Sequence, residues 1–450
     1  MDILIPAERV PVADDVDICV VGGSCTGVFA ALRAARLGAR VALIEKQNRL
    51  GGVATCGLVG MWHSLYDFAD QQPIIGGLTL ETLERLDRRG AVSPFRDPQE
   101  SRRGGVRFNT EELTLELDEL VLEQPRIRAW LQTSYSRVLA RGSGDLEAIV
   151  IENKSGRSAI RARVFIDASG DGVLCRDAGI AMTRVAHPQP PTACARFENW
   201  DSLGDIDIKA LCDTYRETFP NLPCGYAWGM GVPSSAIRML AGTRVMQCDC
   251  SDADAVTRAE FESRAQIRAF MDMLRVARPG NRLTLQALPS AVGIREGRHI
   301  TPLRLLTGAE MLAGTRFADA IGNGTYPVDI HHDTDDTITF KRLDGTCKTF
   351  AANRLIHTER WLPEGKILPY YQFTLGCLIP DQAVNLISAG RMAGVDREAF
   401  GAIRVMVNLN QCGEAAGVAA WQALDGGQSM GAIDAAQTRA LLARGGSIIL

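Results

Sequence analysis

Residues 17–45 carry the feature that most constrains this 450-residue chain. Asp17-Ile18-Cys19-Val20-Val21 is an apolar run of strand length, and Gly22-Gly23-Ser24-Cys25-Thr26-Gly27 follows at once. Val28 to Leu37 is then rich in helix formers and closes on Gly38, a residue suited to ending a helix. A second apolar run, Arg40-Val41-Ala42-Leu43-Ile44, ends at Glu45, 23 positions after Gly22. A strand, a glycine turn, a helix, a strand and an acid in this order predict a parallel α/β unit that binds a dinucleotide.

Each part has a physical task. Gly22 permits the tight turn off the strand, and Gly27 lets the helix pack closely on it. Position 24 brings backbone up to a pyrophosphate, which rests on a helix N-terminus where free N–H groups and the dipole favour an anion. Ser24 replaces the usual middle glycine; serine is the smallest substitute, and its hydroxyl can donate to a phosphate. Glu45 can accept from both hydroxyls of an adenosine ribose and disfavours a 2′-phosphate. Lys46 follows it directly, and Arg49-Leu50-Gly51-Gly52 comes soon after. A glycine pair there suits a loop crossing a large cofactor, FAD rather than NAD, with a plain glycine turn as the alternative. No second unit of this kind appears, because Gly413-Glu414-Ala415-Ala416-Gly417 lies inside a helical stretch. One dinucleotide site is therefore expected, without a separate NAD(P)H domain.

Composition excludes several other classes. With 49 Lys+Arg against 53 Asp+Glu there is no bulk field for nucleic acid or an anionic membrane. No apolar run is long enough to span a bilayer, and Met1 to Arg9 has no basic n-region or apolar core. A soluble, cytoplasmic chain with a small-molecule substrate is expected. Twelve cysteines occur without any Cys-x-x-Cys, so most are expected to be buried small hydrophobes and no metal is expected.

The fold class expected is α/β: a Rossmann-like, three-layer FAD domain assembled from both chain ends, with an inserted α+β substrate or cap lobe. Residues 15–60, 126–180 and 381–425 would form the FAD domain, and 181–380 the lobe. Residues 61–125 read as an inserted loop and helical cap, and 426–450 as a C-terminal tail. Arg88, Arg89, Arg96, Arg102, Arg103 and Arg107 suggest an exposed face, or a lid over an anionic substrate. Asn109 begins a helix whose stripe of Leu113, Leu117, Leu120 and Val121 stops at Pro125. Runs 146–151 and 159–166 flank a hairpin turn, a helix spans about 252–277, and another spans Ala402 to Leu424.

Four blocks resemble the FAD-dependent oxidoreductase family within the glutathione-reductase-like flavoproteins. They are Val21–Gly27 with Glu45 and Gly51-Gly52; Ile166-Asp167-Ala168-Ser169-Gly170-Asp171-Gly172; Arg295–Ile300 with Tyr326–His331; and Ala389-Gly390-Arg391 through Gly401–Met406. The resemblance implies a bound FAD. Gly22, Gly23, Ser24, Cys25, Thr26 and Gly27 would hold its pyrophosphate and Glu45 its ribose. Ser169, Gly170 and Asp171 would lie near its backbone, with Gly390 and Arg391 beside its ribityl or phosphate part. A helix opening near Ile403 would point its N-terminus at the flavin pyrimidine edge. Relatives often carry an arginine where Tyr371 stands and a histidine where Arg397 stands, at positions expected to face substrate.

The implied reaction is hydride transfer between a small organic substrate and flavin. Non-redox catalysis on an FAD scaffold, or FAD binding without turnover, are the rival readings. His331 is the first proton-transfer candidate, because a histidine with pKa near 6.5 works at neutral pH, and a structural histidine is its alternative. It follows Asp329 by two and would share its side of a strand. His63 could reach the flavin from the loop beyond Gly52. Arg295 and Arg298 could grip a carboxylate in bidentate fashion, or pair with Glu296 and nearby acids. Cys56 lies in the flavin loop without a partner cysteine.

Overall fold

The apolar runs at both ends of the chain meet in one seven-stranded sheet. The computed structural model describes residues 3–4, 6–69, 71–95, 105–223, 226–352 and 354–450. Parallel strands Ile127–Trp130, Val41–Ile44, Val12–Val21 and Gly156–Asp167 lie side by side, and Leu386–Ser388 continues the parallel order past Asp167. Ser134–Gly142 and Asp145–Asn153 extend the sheet antiparallel from the early half of Gly156–Asp167. Register brings the carboxyl ends into line: Val21 lies opposite Ile44 and Asp167, Trp130 opposite Ile44, and Ser388 opposite Asp167. In open α/β sheets this edge is where ligands bind.

Helix Cys25–Arg36 starts on Ser24, whose hydroxyl accepts from the Gly27 N–H as an N-cap. Helix Met406–Gly426 packs directly against it, and glycine makes the close approach possible. A β-carbon at Gly413 would sit 2.1 Å from the Thr26 carbonyl oxygen, and one at Gly417 would sit 2.2 Å from that of Ala30. The glycines inside that helix are thus packing positions. A buried ion pair joins the two helices where Arg33 meets Glu414, whose other oxygen accepts from the Leu78 N–H at 3.2 Å.

Helix Thr110–Leu122 does begin on Asn109, which accepts from the Glu111 N–H, and its Leu113, Leu117 and Leu120 are fully buried. They pack in the same core as Phe29 and Leu32 of the first helix, as do Leu78, Leu83 and Leu86 of helix Gly77–Arg88. Both helices of the stretch thus share a core with the first helix of the sheet. Arg88 and Arg89 are exposed; Arg96, Arg102 and Arg103 lie outside the described residues.

The inserted lobe is α+β. An antiparallel sheet orders Trp228–Gly231, Arg238–Ala241, Cys194–Glu198 and Thr284–Ala287, and helix Ala253–Ala277 covers its core. A second sheet runs Val328–His331, Thr337–Lys341, Thr346–Ala351 and Arg354–Arg360. The helix expected from Ala402 is two helices, Arg397–Ile403 and Met406–Gly426, because Val405 is extended. Among the described residues no helix is long and apolar enough to cross a membrane, and eleven cysteines are buried.

Replacing Gly417 by leucine forces the two helices apart and is expected to destabilise the fold by about 3 kcal/mol, the upper range for overpacking. Chemical denaturation measures it, and an unchanged midpoint would contradict the packing assigned here.

Candidate active site

The carboxyl edge of the sheet opens into a cavity of about 1220 Å³, larger than the pocket of a single small ligand. The ladder continues past the strands into its wall: the Gly22 N–H donates to the Ile44 carbonyl and the Ala168 N–H to that of Val21. Gly22 has φ +110°, and a β-carbon there would sit 2.2 Å from the Ala168 carbonyl oxygen. One at Gly27 would press on the Gly22 carbonyl, so both glycines are required by the turn itself. Ser24, Cys25 and Thr26 line the cavity, and first-turn N–H groups of a helix lack intrahelical acceptors.

Glu45 is oriented by backbone. Its Oε2 accepts from the Gly23 N–H at 2.6 Å and its Oε1 from the Gln47 N–H at 2.8 Å. Each oxygen keeps a lone pair, and the residue lines the cavity next to Lys46. Gly51 and Gly52 line it too, but they also dock on the phosphate turn. The Gly51 N–H donates to the Gly23 carbonyl, and a β-carbon at Gly52 would sit 2.7 Å from that of Ser24.

Asp167 organises the opposite wall. Its Oδ1 accepts from the Ser169 hydroxyl at 2.6 Å and its Oδ2 from the Leu174 N–H at 2.8 Å. Burial raises its pKa, against these hydrogen bonds. Ser169, Gly170, Asp171, Gly390 and Arg391 follow along the cavity. Arg391 pairs with Asp171 at 2.5 Å, while its buried Nε has no hydrogen-bond partner. Gly170 has φ +78°, a backbone conformation that favours glycine, and it lies against the Arg391 guanidinium. These donors fit a dinucleotide: main-chain N–H groups and Arg391 for a pyrophosphate, Glu45 for a ribose. The long helix opens at Met406 on the cavity, with no side-chain cap.

Beyond the phosphate turn the wall becomes a charged cluster centred on Asp329. Its Oδ2 accepts from the Tyr326 hydroxyl at 2.6 Å and from Arg404 at 2.7 Å, and its Oδ1 lies 3.2 Å from His331 Nε2. Burial opposes ionisation of Asp329, yet the His331 and Arg404 contacts and the Tyr326 hydroxyl outweigh it and hold the carboxyl well below its usual range. His331 Nδ1 receives Arg244 at 3.1 Å, so Nε2 carries the imidazole proton toward Asp329. Burial pushes the His331 pKa down to about 3, against the pull of Asp329. His63 packs on Tyr326 with ring centres 4.2 Å apart, and burial brings its pKa down to about 4.

The two histidines therefore border the cavity as neutral rings. The expected titration of His331 near neutrality is replaced by burial between Arg244 and Asp329. Arg295 lines the cavity, whereas Arg298 lies away from it and donates to the Ser251 carbonyl at 3.0 Å. Glu296 pairs with neither arginine; it accepts from the Gln189 N–H and meets His299. Arg49 is drawn to Glu111 at 2.8 Å, outside the cavity lining. Gly23 and Gly27 shape the turn from behind, and Ile403 is buried in the short helix, three residues before the long one opens. Tyr371 is a core residue whose hydroxyl lies 3.0 Å from the Tyr326 carbonyl oxygen, and neither it nor Arg397 lines the cavity. Cys56 lines it as a buried thiol. Tyr226, Tyr326, Arg244 and Arg404 were not singled out from sequence. Arg404 and Tyr326 stood inside resemblance blocks, but Tyr226 and Arg244 had no local signal.

The chain belongs to the FAD-dependent oxidoreductase family: the family's sequence profile matches residues 17–442. It is a flavoenzyme, with FAD as its cofactor. No curated protein matches it. Among solved structures it is similar to a geranylgeranyl bacteriochlorophyll reductase-like protein from Thermoplasma acidophilum, at 14% identity over 96% of this chain and 84% of that one, with TM-score 0.47. The flavin-dependent brominase Bmp2 gives 11%, 93%, 81% and 0.45 on the same measures. For p-nitrophenol 4-monooxygenase PnpA from Pseudomonas putida they are 10%, 65%, 70% and 0.41.

Two outcomes are expected of this geometry. Gly22→Val abolishes flavin content in the purified protein, because the turn cannot accept a β-carbon, and Glu45→Ala lowers it markedly; a fully loaded Gly22→Val protein would contradict the assignment. Native His63 and His331 bind fewer protons than in the unfolded chain below pH 6.5, so the stability they contribute is present above that pH and is lost as pH falls. For His63 alone, with its pKa near 4, the loss between pH 6.5 and 4 is roughly 3 kcal/mol. His63→Phe, which keeps a ring on Tyr326, shows a correspondingly shallower pH dependence at equal FAD saturation; an unchanged slope argues against a buried neutral His63.

Proposed function

We propose that the protein transfers a hydride between a small organic substrate and its flavin, with the substrate at the end of the cavity bounded by His63, Tyr226, Tyr326 and Arg295. The supporting observation is the continuity of one cavity from the phosphate turn at Gly22–Thr26 to the cluster around Asp329. When bound, FAD supplies the two-electron chemistry. Assembly of the nucleotide domain from both chain ends agrees with the expected kinship to glutathione-reductase-like flavoproteins.

The chain's own groups divide the remaining work. The turn at 22–27, Glu45 and Arg391 bind and orient the nucleotide. The opening turn of helix Met406–Gly426 presents unsatisfied N–H groups and the positive end of a dipole to the cavity, which favours negative charge there. Tyr326 is the group placed to hold or move a proton. Burial, with the Asp329 carboxylate, pushes its pKa well above the usual value, so the hydroxyl stays protonated and is aligned at Oη by Asp329. His331 and Arg244 position Asp329 from behind. His63 excludes water from the Tyr326 ring.

Anaerobic mixing of the FAD-loaded protein with a panel of small organic acids, alcohols and amines tests the reading. At least one compound is expected to bleach the visible flavin band, and Tyr326→Phe to slow that bleaching by roughly 10²-fold while keeping its flavin. Product formation without bleaching would instead mean non-redox catalysis.

A further inference from the structure

We infer that Arg295, with Arg404 beside it, forms a subsite for a single carboxylate, and that the substrate is an organic acid held by that group. The inference rests on the hydride-transfer reading of the same cavity. Charge balance carries it. The enclosed cluster holds three guanidinium groups, and among the described residues two carboxylates meet them. Arg244 pairs with Asp336 at 2.8 Å, and Arg404 pairs with Asp329 at 2.7 Å. Among the described residues Arg295 has no acidic partner: its Nη1 donates to the Thr192 hydroxyl at 2.6 Å and to the Pro190 carbonyl, both neutral. One positive charge is left over.

That charge sits in an unfavourable place. Burial, followed by the fields of Arg404 and Arg244, pushes the Arg295 pKa down to about 10. A guanidinium half-withdrawn from water without a counter-ion is costly, so its retention on a cavity wall calls for an anion supplied from outside. The planar fork of a guanidinium matches the two oxygens of a carboxylate, and only part of the Arg295 fork is engaged by protein. A monoanion is favoured over a dianion, because a single excess charge is available and Asp329 repels a second negative group. Apolar surface from Tyr226, Tyr326, Trp228 and Phe340 lines the same space and suits the carbon frame of an organic acid. Arg107 and Arg342 are exposed and line the cavity as well, which steers anions toward it.

The test titrates FAD-loaded protein with acetate and benzoate, with acetamide and benzamide as neutral matches and inorganic phosphate as a separate arm. Thermal midpoint and flavin absorption are both read. At least one carboxylate is expected to raise the midpoint saturably and perturb the flavin band, while the amides and phosphate do neither. Arg295→Leu removes an unpaired charge, so it is expected to fold and keep its flavin, yet to weaken carboxylate binding at least tenfold; Arg295→Lys retains part of it. Flavin-loaded protein indifferent to carboxylates, responding equally to the amides, responding to phosphate alone, or titrating unchanged after Arg295→Leu overturns the subsite and leaves the flavin reading standing. Protein that takes up no flavin overturns the reading of the cavity itself.

Discussion

The structure depends on main chain approaching main chain where no β-carbon intervenes. At the carboxyl edge of the sheet, the turn after Val21, the loop at Gly51-Gly52 and the segment after Asp167 converge within hydrogen-bonding distance. Gly22 and Gly27 carry the tightest of these contacts, and Gly413 and Gly417 bring the last long helix down onto the first. The same contacts leave backbone N–H groups along a cavity wall instead of covering them with side chains. A surface rich in main-chain donors, with one oriented acid at Glu45 and one arginine at Arg391, is what a dinucleotide requires.

The second half of the site is built on charge rather than close approach. Asp329 gathers Tyr326, Arg404 and His331 around one carboxylate, and Arg244 closes the arrangement from the far side of the imidazole. Each of these groups would be costly to bury alone, and together they offset most of that cost. The arrangement fixes the protonation states: a neutral imidazole, a charged carboxylate and a protonated phenol. It also leaves Arg295 as the member whose charge no described acid meets.

What the sequence made legible follows from how far each feature reaches along the chain. The glycine turn, the Asn109 cap and the stripe from Leu113 to Val121 are encoded by neighbours in sequence, and they stand where expected; the Ser24 cap was not read from sequence. Asp329 and His331 share one side of a strand because they stand two positions apart. What the leucines of 61–125 pack against was not legible, because they are buried by helices from distant parts of the chain. The His331 pKa was equally out of reach: it is lowered first by burial and further by Arg295 and by Arg244, 87 positions away. Arg295 and Arg298 look alike in sequence, and only the fold turns one into the cavity and the other toward Ser251. The break at Val405, which moves the opening of the long helix from Ile403 to Met406, leaves no proline or glycine signal at the residue itself.

The central claim is that the glycine-built edge of this sheet holds FAD. An absorption spectrum of the purified protein before and after acid precipitation tests it most directly. The account predicts flavin bands in the native protein. Their release into the supernatant would show non-covalent FAD, and colour remaining with the pellet a covalent link, directing attention to Cys56 and His63, which line the cavity. Protein without flavin bands, even after incubation with FAD, would contradict the assignment of the site.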